Sequence, residues 1–269
     1  MVRRKGARHL FHIPRSRPAS AVSKKGAWHL FSSLVDMDVV WGYGSGMPRG
    51  PRVAVGGVVY HVLNRANGRA QIFGSEGDYA AFVDMMAEAV DRVPMRILAY
   101  CVMPNHWHMV VHPEQDGALS QYMAWLTRMH SLRWHGFRGM CGYGHLYQGR
   151  FKSFPVQTDR HFLAVCRYVE RNAMRAGLVA KAEDWRWGSL WRRERGHAQA
   201  KPVLSEWPVP RPDGWLGLVN QPLTEDELAA LRLCTRRGRP YGSAGWVSSA
   251  AVRLGLQSTL RSPGRPRQT

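Results

Sequence analysis

The stretch "CVMPNHWHMVV", Cys101 to Val111, holds two histidines one residue apart behind a Pro-Asn pair and inside an apolar run. Alternate residues of a strand project to one face, so His106 and His108 point together while Trp107 turns to the opposite layer. Two neutral imidazoles aimed at one point form half of a metal site, and imidazole is the commonest side-chain metal ligand. The same spacing also suits two surface histidines on a half-exposed strand, and spacing alone leaves both readings open. A second group of reactive residues lies on a segment with helical spacing. Its apolar stripe is Phe162, Cys166, Val169 and Ala173, whereas Tyr168 and Asn172, one turn apart, share a different face with His161, Ala164 and Arg175.

The elements that position these residues have clear signals. "VVYHVLNR" (58 to 65) is rich in β-branched and aromatic residues and predicts a strand. Ser75 and Asp78 form a capping box before Tyr79, Phe82, Val83, Met86, Val90 and Val93, which recur at helical spacing. "RILAYCVM" and "HWHMVVH" predict two strands joined by the Pro104-Asn105 turn, and Leu119, Tyr122, Met123, Leu126 and Met129 mark a second helix after Asp116. "LYQGRFKSFPVQ" (146 to 157) predicts an edge strand, because Pro155 lacks an N–H for a central one. Asp159 caps a third helix that Gly177 ends. The order βαββαβα predicts an α+β fold, a ferredoxin-like antiparallel sheet with helices on one face, which leaves the other face open for a long ligand.

Around this core, 269 residues with 38 Lys+Arg against 19 Asp+Glu give a net charge of +19, which calls for a polyanionic partner. No apolar stretch approaches the ~20 residues of a membrane span, so the expectation is a cytoplasmic protein without a membrane partner. Cys101, Cys141, Cys166 and Cys234 are widely spaced, which argues against a zinc ribbon or a disulfide framework. Residues 1 to 46 are expected to be a basic, disordered extension, 47 to 190 the domain that holds the histidine pair and Tyr168, and 191 to 269 a basic, partly helical extension suited to a polyanion. From Arg232 onward there are eight arginines and no acid. Gly-Arg-Pro occurs at 238 to 240 and 264 to 266. This core resembles an AT-hook, which lays arginines in a narrow A·T-rich minor groove, but the expectation is a basic tail that adds phosphate affinity.

"YHVLNRANGR", "YCVMPNHWHMVV", "LYQGRFKS" and "CRYVERNAMRAGLV", in this order, resemble the single-tyrosine HUH transposases, particularly the REP-associated tyrosine transposases of bacteria. The resemblance covers about residues 47 to 190. It implies an HUH endonuclease fold, a divalent metal (Mg or Mn) held by His106, His108 and Asn172, and Tyr168 as nucleophile. The implied reaction leaves a 5′-phosphotyrosine link and a free 3′-OH. The implied partner is single-stranded DNA with hairpin-forming repeats, and the resemblance leaves room for a homodimer. Ala173 departs from the pattern, which often has proline there.

A phenol with an ordinary pKa near 10 is a weak nucleophile at neutral pH, so Arg167 and Arg175 are candidates for favouring phenolate. Arg65, Asn67, Arg69, Arg150 and Lys152 are expected at strand ends, in reach of phosphates, with Arg175 as a further DNA contact and Arg237, Arg239 and Arg265 contributing from the tail. Two other functions use related features: a replication-initiator or relaxase-type nickase with the same metal and tyrosine logic, and a non-catalytic ferredoxin-like nucleic-acid-binding protein, which needs neither the histidine pair nor Tyr168. Tyr147 is the second candidate nucleophile.

Overall fold

The computed structural model describes residues 53–142, 144–196 and 204–261. The N-terminal extension and Arg265 lie outside the described residues. The order is β1 (Val59–Arg65), α1 (Glu76–Arg92), β2 (Arg96–Met103), β3 (His106–His112), α2 (Ala118–Arg138), β4 (Lys152–Val156), α3 (Arg160–Glu170) and α4 (Asn172–Arg175). Then follow α5 (Ser189–Arg195), α6 (Trp215–Asn220), α7 (Glu225–Arg237) and α8 (Ala244–Arg253). The four strands form one antiparallel sheet in the order β2-β3-β1-β4, the split arrangement expected from the sequence.

Local chemistry sets the element ends. Ser75 and Asp78 form the expected capping box on α1, and Asp159 Oδ1 accepts from His161 N at the start of α3. β4 lies at the sheet edge, where Pro155 deprives no neighbour of a donor. The third helix is interrupted at Arg171, which separates α3 from α4, and Gly177 at φ +69° takes the left-handed turn beyond them.

One part of the sequence expectation changes: the face taken as open is covered. Tyr60, Val62, Trp107, Met109 and Val111 pack with α1 and α2 on one side. Val59, Val110, Phe154 and Val156 pack on the other side with Phe162, Cys166 and Val169 of α3, Trp215 and Val219 of α6, and Leu231 and Cys234 of α7. The strands are buried on both faces, as their near-continuous apolar runs permit.

The C-terminal segment is therefore part of the folded body. α7 packs on β4, and Tyr241 joins the sheet edge: its N–H donates to Pro155 O (2.9 Å) and its carbonyl accepts from Gln157 N (2.9 Å). Truncation at residue 232 would thus remove a sheet edge and part of a core along with eight arginines. Among the described residues no helix is long and apolar enough to cross a membrane. Leu231 is 1% exposed at this contact, so Leu231→Ala is expected to lower unfolding free energy by about 2–5 kcal/mol in urea titration. A loss within the ±0.5 kcal/mol or so of a surface substitution would contradict the packing role assigned to α7.

Candidate active site

The β1–β3 register sets the floor of the site. His106 faces Arg65 and His108 faces Leu63 across the pair, while His61 faces Val110. Directly opposed residues share a face, so His61, Arg65, His106 and His108 all project toward α3. Trp107 takes the other face, fully buried against Phe82, with its indole N–H donating to Tyr147 Oη (3.0 Å). The alternation expected of the histidine pair is present.

Asn105 holds the turn that enters β3. Its carbonyl accepts from Ala66 N (2.9 Å), its side-chain N–H donates to Arg69 O (3.3 Å), and its Oδ1 accepts from His106 Nδ1 (2.6 Å). An amide oxygen only accepts, so His106 carries its proton on Nδ1 and presents an unprotonated Nε2. The Pro104 carbonyl accepts from Ile72 N and Phe73 N, which binds the 66–73 loop to the same turn. Arg69, at φ +57°, is the one non-glycine residue in the left-handed region among the described residues.

The roof of the site comes from α3 and α4. The Tyr168 ring stands edge-on to His108 (centroids 5.7 Å, 87°) and to His61 (6.1 Å, 74°), and the Arg175 guanidinium lies 5.5 Å from its centroid. Arg175 Nη2 donates weakly to Asn172 Oδ1 at 3.4 Å. His106 and His108 lie 5.1 Å apart, nearly perpendicular. The sequence-selected His106, His108, Tyr168, Asn172 and Arg175 are thus linked through one set of contacts.

A buried clamp fixes this roof. Glu170, fully enclosed, accepts from Ser189 Oγ (2.6 Å) and Trp215 Nε1 (2.8 Å), so the end of α3 is tied to both α5 and α6. Burial pushes its carboxyl pKa up, and the two donors work against that rise. Burial pushes the Cys101 thiol beneath the site up to about 12, which leaves it protonated.

Other selected residues lie elsewhere or have different partners. Arg65 is 1% exposed and sits inside the site face, so the expected surface phosphate contact at a strand end is replaced by a buried cation across from His106. Arg167 donates to the Gln221 and Pro222 carbonyls, away from the Tyr168 ring, which leaves Arg175 as the cation at the phenol. Arg237 donates to the Thr259 and Arg261 carbonyls and serves as a tie for the chain end. Asn67 and Arg69 are exposed, Lys152 is half-buried, and Arg150 lines an 840 Å³ cavity with Arg128 and His135 beside α2. Arg239 is partly buried. Tyr147 lies on the Trp107 face, bonded to His130 (2.6 Å), remote in role from the histidine pair.

The residue that sequence reading missed is His61. Its Nε2 lies 3.0 Å from Nδ1 of His108, and its ring packs on Phe154. Burial lowers its pKa to about 3, and lowers that of His108 well below the ordinary value, with His106 adding to the effect. Its sequence signal was its place in "YHVLNRANGR", on a strand that pairs with the histidine strand.

Among the described residues no cluster of three His, Cys, Asp or Glu side chains is arranged to hold a metal ion. The donor set here is instead two imidazoles and the Asn172 amide. The Nδ1 of each imidazole is occupied by a neighbour, which directs each Nε2 to the ligand, the usual arrangement of a metal-binding histidine. The buried Asn172 amide nitrogen has no hydrogen-bond partner. The set fits a divalent cation that accepts mixed nitrogen and oxygen donors.

Residues 54–172 match the family model "Transposase IS200 like". The chain is similar to a solved REP-associated tyrosine transposase bound to a REP hairpin, with 20% identity over 60% of this chain and 92% of that one and a TM-score of 0.47. It is also similar to a protein from Deinococcus radiodurans R1 described as a transposase, with 17% identity over 47% of this chain and 98% of that one and a TM-score of 0.33. No curated protein sequence matches the chain.

The buried histidines predict how stability depends on pH. His61 and His130 both have pKa values lowered to about 3 by burial. Between about pH 6.5 and 3 the unfolded chain binds protons that the folded chain refuses, so stability is full above about 6.5 and falls as pH drops. Each histidine contributes a slope of up to about 1.4 kcal/mol per pH unit. Urea unfolding between about pH 7.5 and 5 is expected to show this decline, and a flat profile would contradict the neutral, enclosed state of these rings.

Proposed function

We propose that the chain cleaves and rejoins single-stranded DNA through a covalent link to Tyr168. The observation that carries this reading is the phenol ring set against His108, His61 and Arg175 near the C-terminal end of α3, a hydroxyl-bearing ring beside two imidazoles and a cation. The proposed partner is DNA that folds into hairpins at repeated sequences, consistent with the net charge of +19.

The Tyr168 oxygen loses its proton and forms a bond to phosphorus, while the bond from phosphorus to the 3′ oxygen breaks. The electron pair leaves with that 3′ oxygen, which takes up a proton. Arg175, beside the phenol ring, favours the phenolate by its charge. The phosphotyrosine retains the energy of the original diester, so a 3′-OH can reverse the reaction and rejoin a strand without a nucleotide cofactor. His106, His108 and Asn172 would hold the divalent cation, which when bound supplies Lewis-acid stabilisation of charge on the phosphate. Mixed nitrogen and oxygen donors favour Mn²⁺ over Mg²⁺. Asn67, Arg69, Arg150, Lys152 and Arg239 are proposed phosphate contacts, and a homodimer is the proposed assembly.

Tyr168→Phe removes one oxygen from a position fixed by its ring contacts. It is expected to abolish the covalent protein–DNA adduct on denaturing gels, with affinity for single-stranded DNA within about threefold of wild type, under 1 kcal/mol. His106→Ala is expected to abolish both the adduct and the response to added Mn²⁺. An adduct that persists in Tyr168→Phe would assign the nucleophile to another residue.

A further inference from the structure

His61 is not among the metal-ligating or nucleophilic residues that the resemblance implies, yet its Nε2 lies 3.0 Å from the Nδ1 of His108. It is fully enclosed, with ring centroids 4.8 Å from Phe154, 5.2 Å from His108 and 6.1 Å from Tyr168. Its remaining nitrogen, Nδ1, is buried without a hydrogen-bond partner.

Two neutral imidazoles in contact through one nitrogen each share a single proton at that contact, which gives two arrangements. In one, His61 donates from Nε2, so His108 carries its own proton on Nε2, the atom a cation needs. In the other, His108 donates from Nδ1, its Nε2 presents a lone pair, and His61 carries its proton on the enclosed Nδ1. Passing from the first to the second removes a proton from His108 Nε2 and adds one at His61 Nδ1, with no net change in charge. A buried acceptor without a partner is less costly than a buried donor without one, so the first arrangement suits the cation-free site. A bound cation selects the second.

We propose that His61 is a positioning residue: by accepting from His108 Nδ1–H it fixes the ring and the tautomer in which His108 faces the cation. The assignment rests on the cation reading given above. It makes the β1 strand, which contributes no ligand, a determinant of metal affinity, and it couples occupancy of the site to the proton position on a ring that also touches Tyr168. Partners of this kind commonly change metal affinity 10–100-fold when removed.

The test uses the full chain and Mn²⁺ alone, with free Mn²⁺ measured by electron paramagnetic resonance. His61→Phe keeps the ring volume and loses the acceptor, and it is expected to weaken Mn²⁺ binding by roughly 10–100-fold. His61→Gln keeps an acceptor oxygen and is expected to recover most of that loss. In parallel, imidazole ¹⁵N shifts of wild type with and without Mg²⁺ are expected to show a proton arriving at His61 Nδ1, a readout that does not depend on any variant folding. Equal Mn²⁺ affinity in wild type and a folded His61→Phe, or a His61 tautomer unchanged by Mg²⁺, would overturn the positioning role while leaving the cation in place. Wild type that binds neither ion would overturn the cation reading and this assignment together.

Discussion

The registered burial of Trp107 is the constraint on which the site depends. Its indole is fully enclosed among Phe82 and the α1/α2 core and donates to Tyr147. Because side chains alternate along β3, that one placement commits His106 and His108 to the opposite layer. A slip of one residue would exchange the faces, placing an indole in the site and two imidazoles in an apolar core. The antiparallel register against β1 then brings His61 and Arg65 to the same layer.

A floor of histidines is of no use without a helix above it at a fixed height. α3 supplies that helix by packing Phe162, Cys166 and Val169 on the sheet, and Glu170 secures it. The buried carboxylate between Ser189 and Trp215 is costly to enclose, and its two donors offset that cost only while α5 and α6 are in position. Segments beyond the matched family region thus hold the element that carries Tyr168. The C-terminal helices cover the second sheet face and seal the β4 edge, so their arginines are only one part of what they contribute.

Much of this was legible in the sequence because it is local. The Pro-Asn turn, the alternating histidines, the Ser75 capping box, the Asp159 cap and the shared face of Tyr168 and Asn172 all follow from spacing and side-chain chemistry. The ferredoxin-like strand order followed from the alternation of elements. What was not legible depends on register and on long-range packing. His61 gains its role only once β1 is set against β3, and Arg65 reads as a surface cation until that pairing encloses it. Arg167 and Arg237 likewise look like free charges until distant carbonyls reach them. The covered second face had a signal, since "VVYHVL" and "ILAYCVM" are continuous apolar runs, which suit strands buried on both sides.

The central claim is that the β3 histidines and the α4 asparagine converge on one cation beneath Tyr168. Anomalous diffraction from crystals grown with Mn²⁺ tests it directly. The account predicts one strong anomalous peak bounded by His106 Nε2, His108 Nε2 and the Asn172 side-chain oxygen, at roughly 2.0–2.3 Å from each, as for first-row metals on nitrogen and oxygen donors. A fully occupied Mn²⁺ peak elsewhere, with these three side chains bonded only to one another, would contradict it.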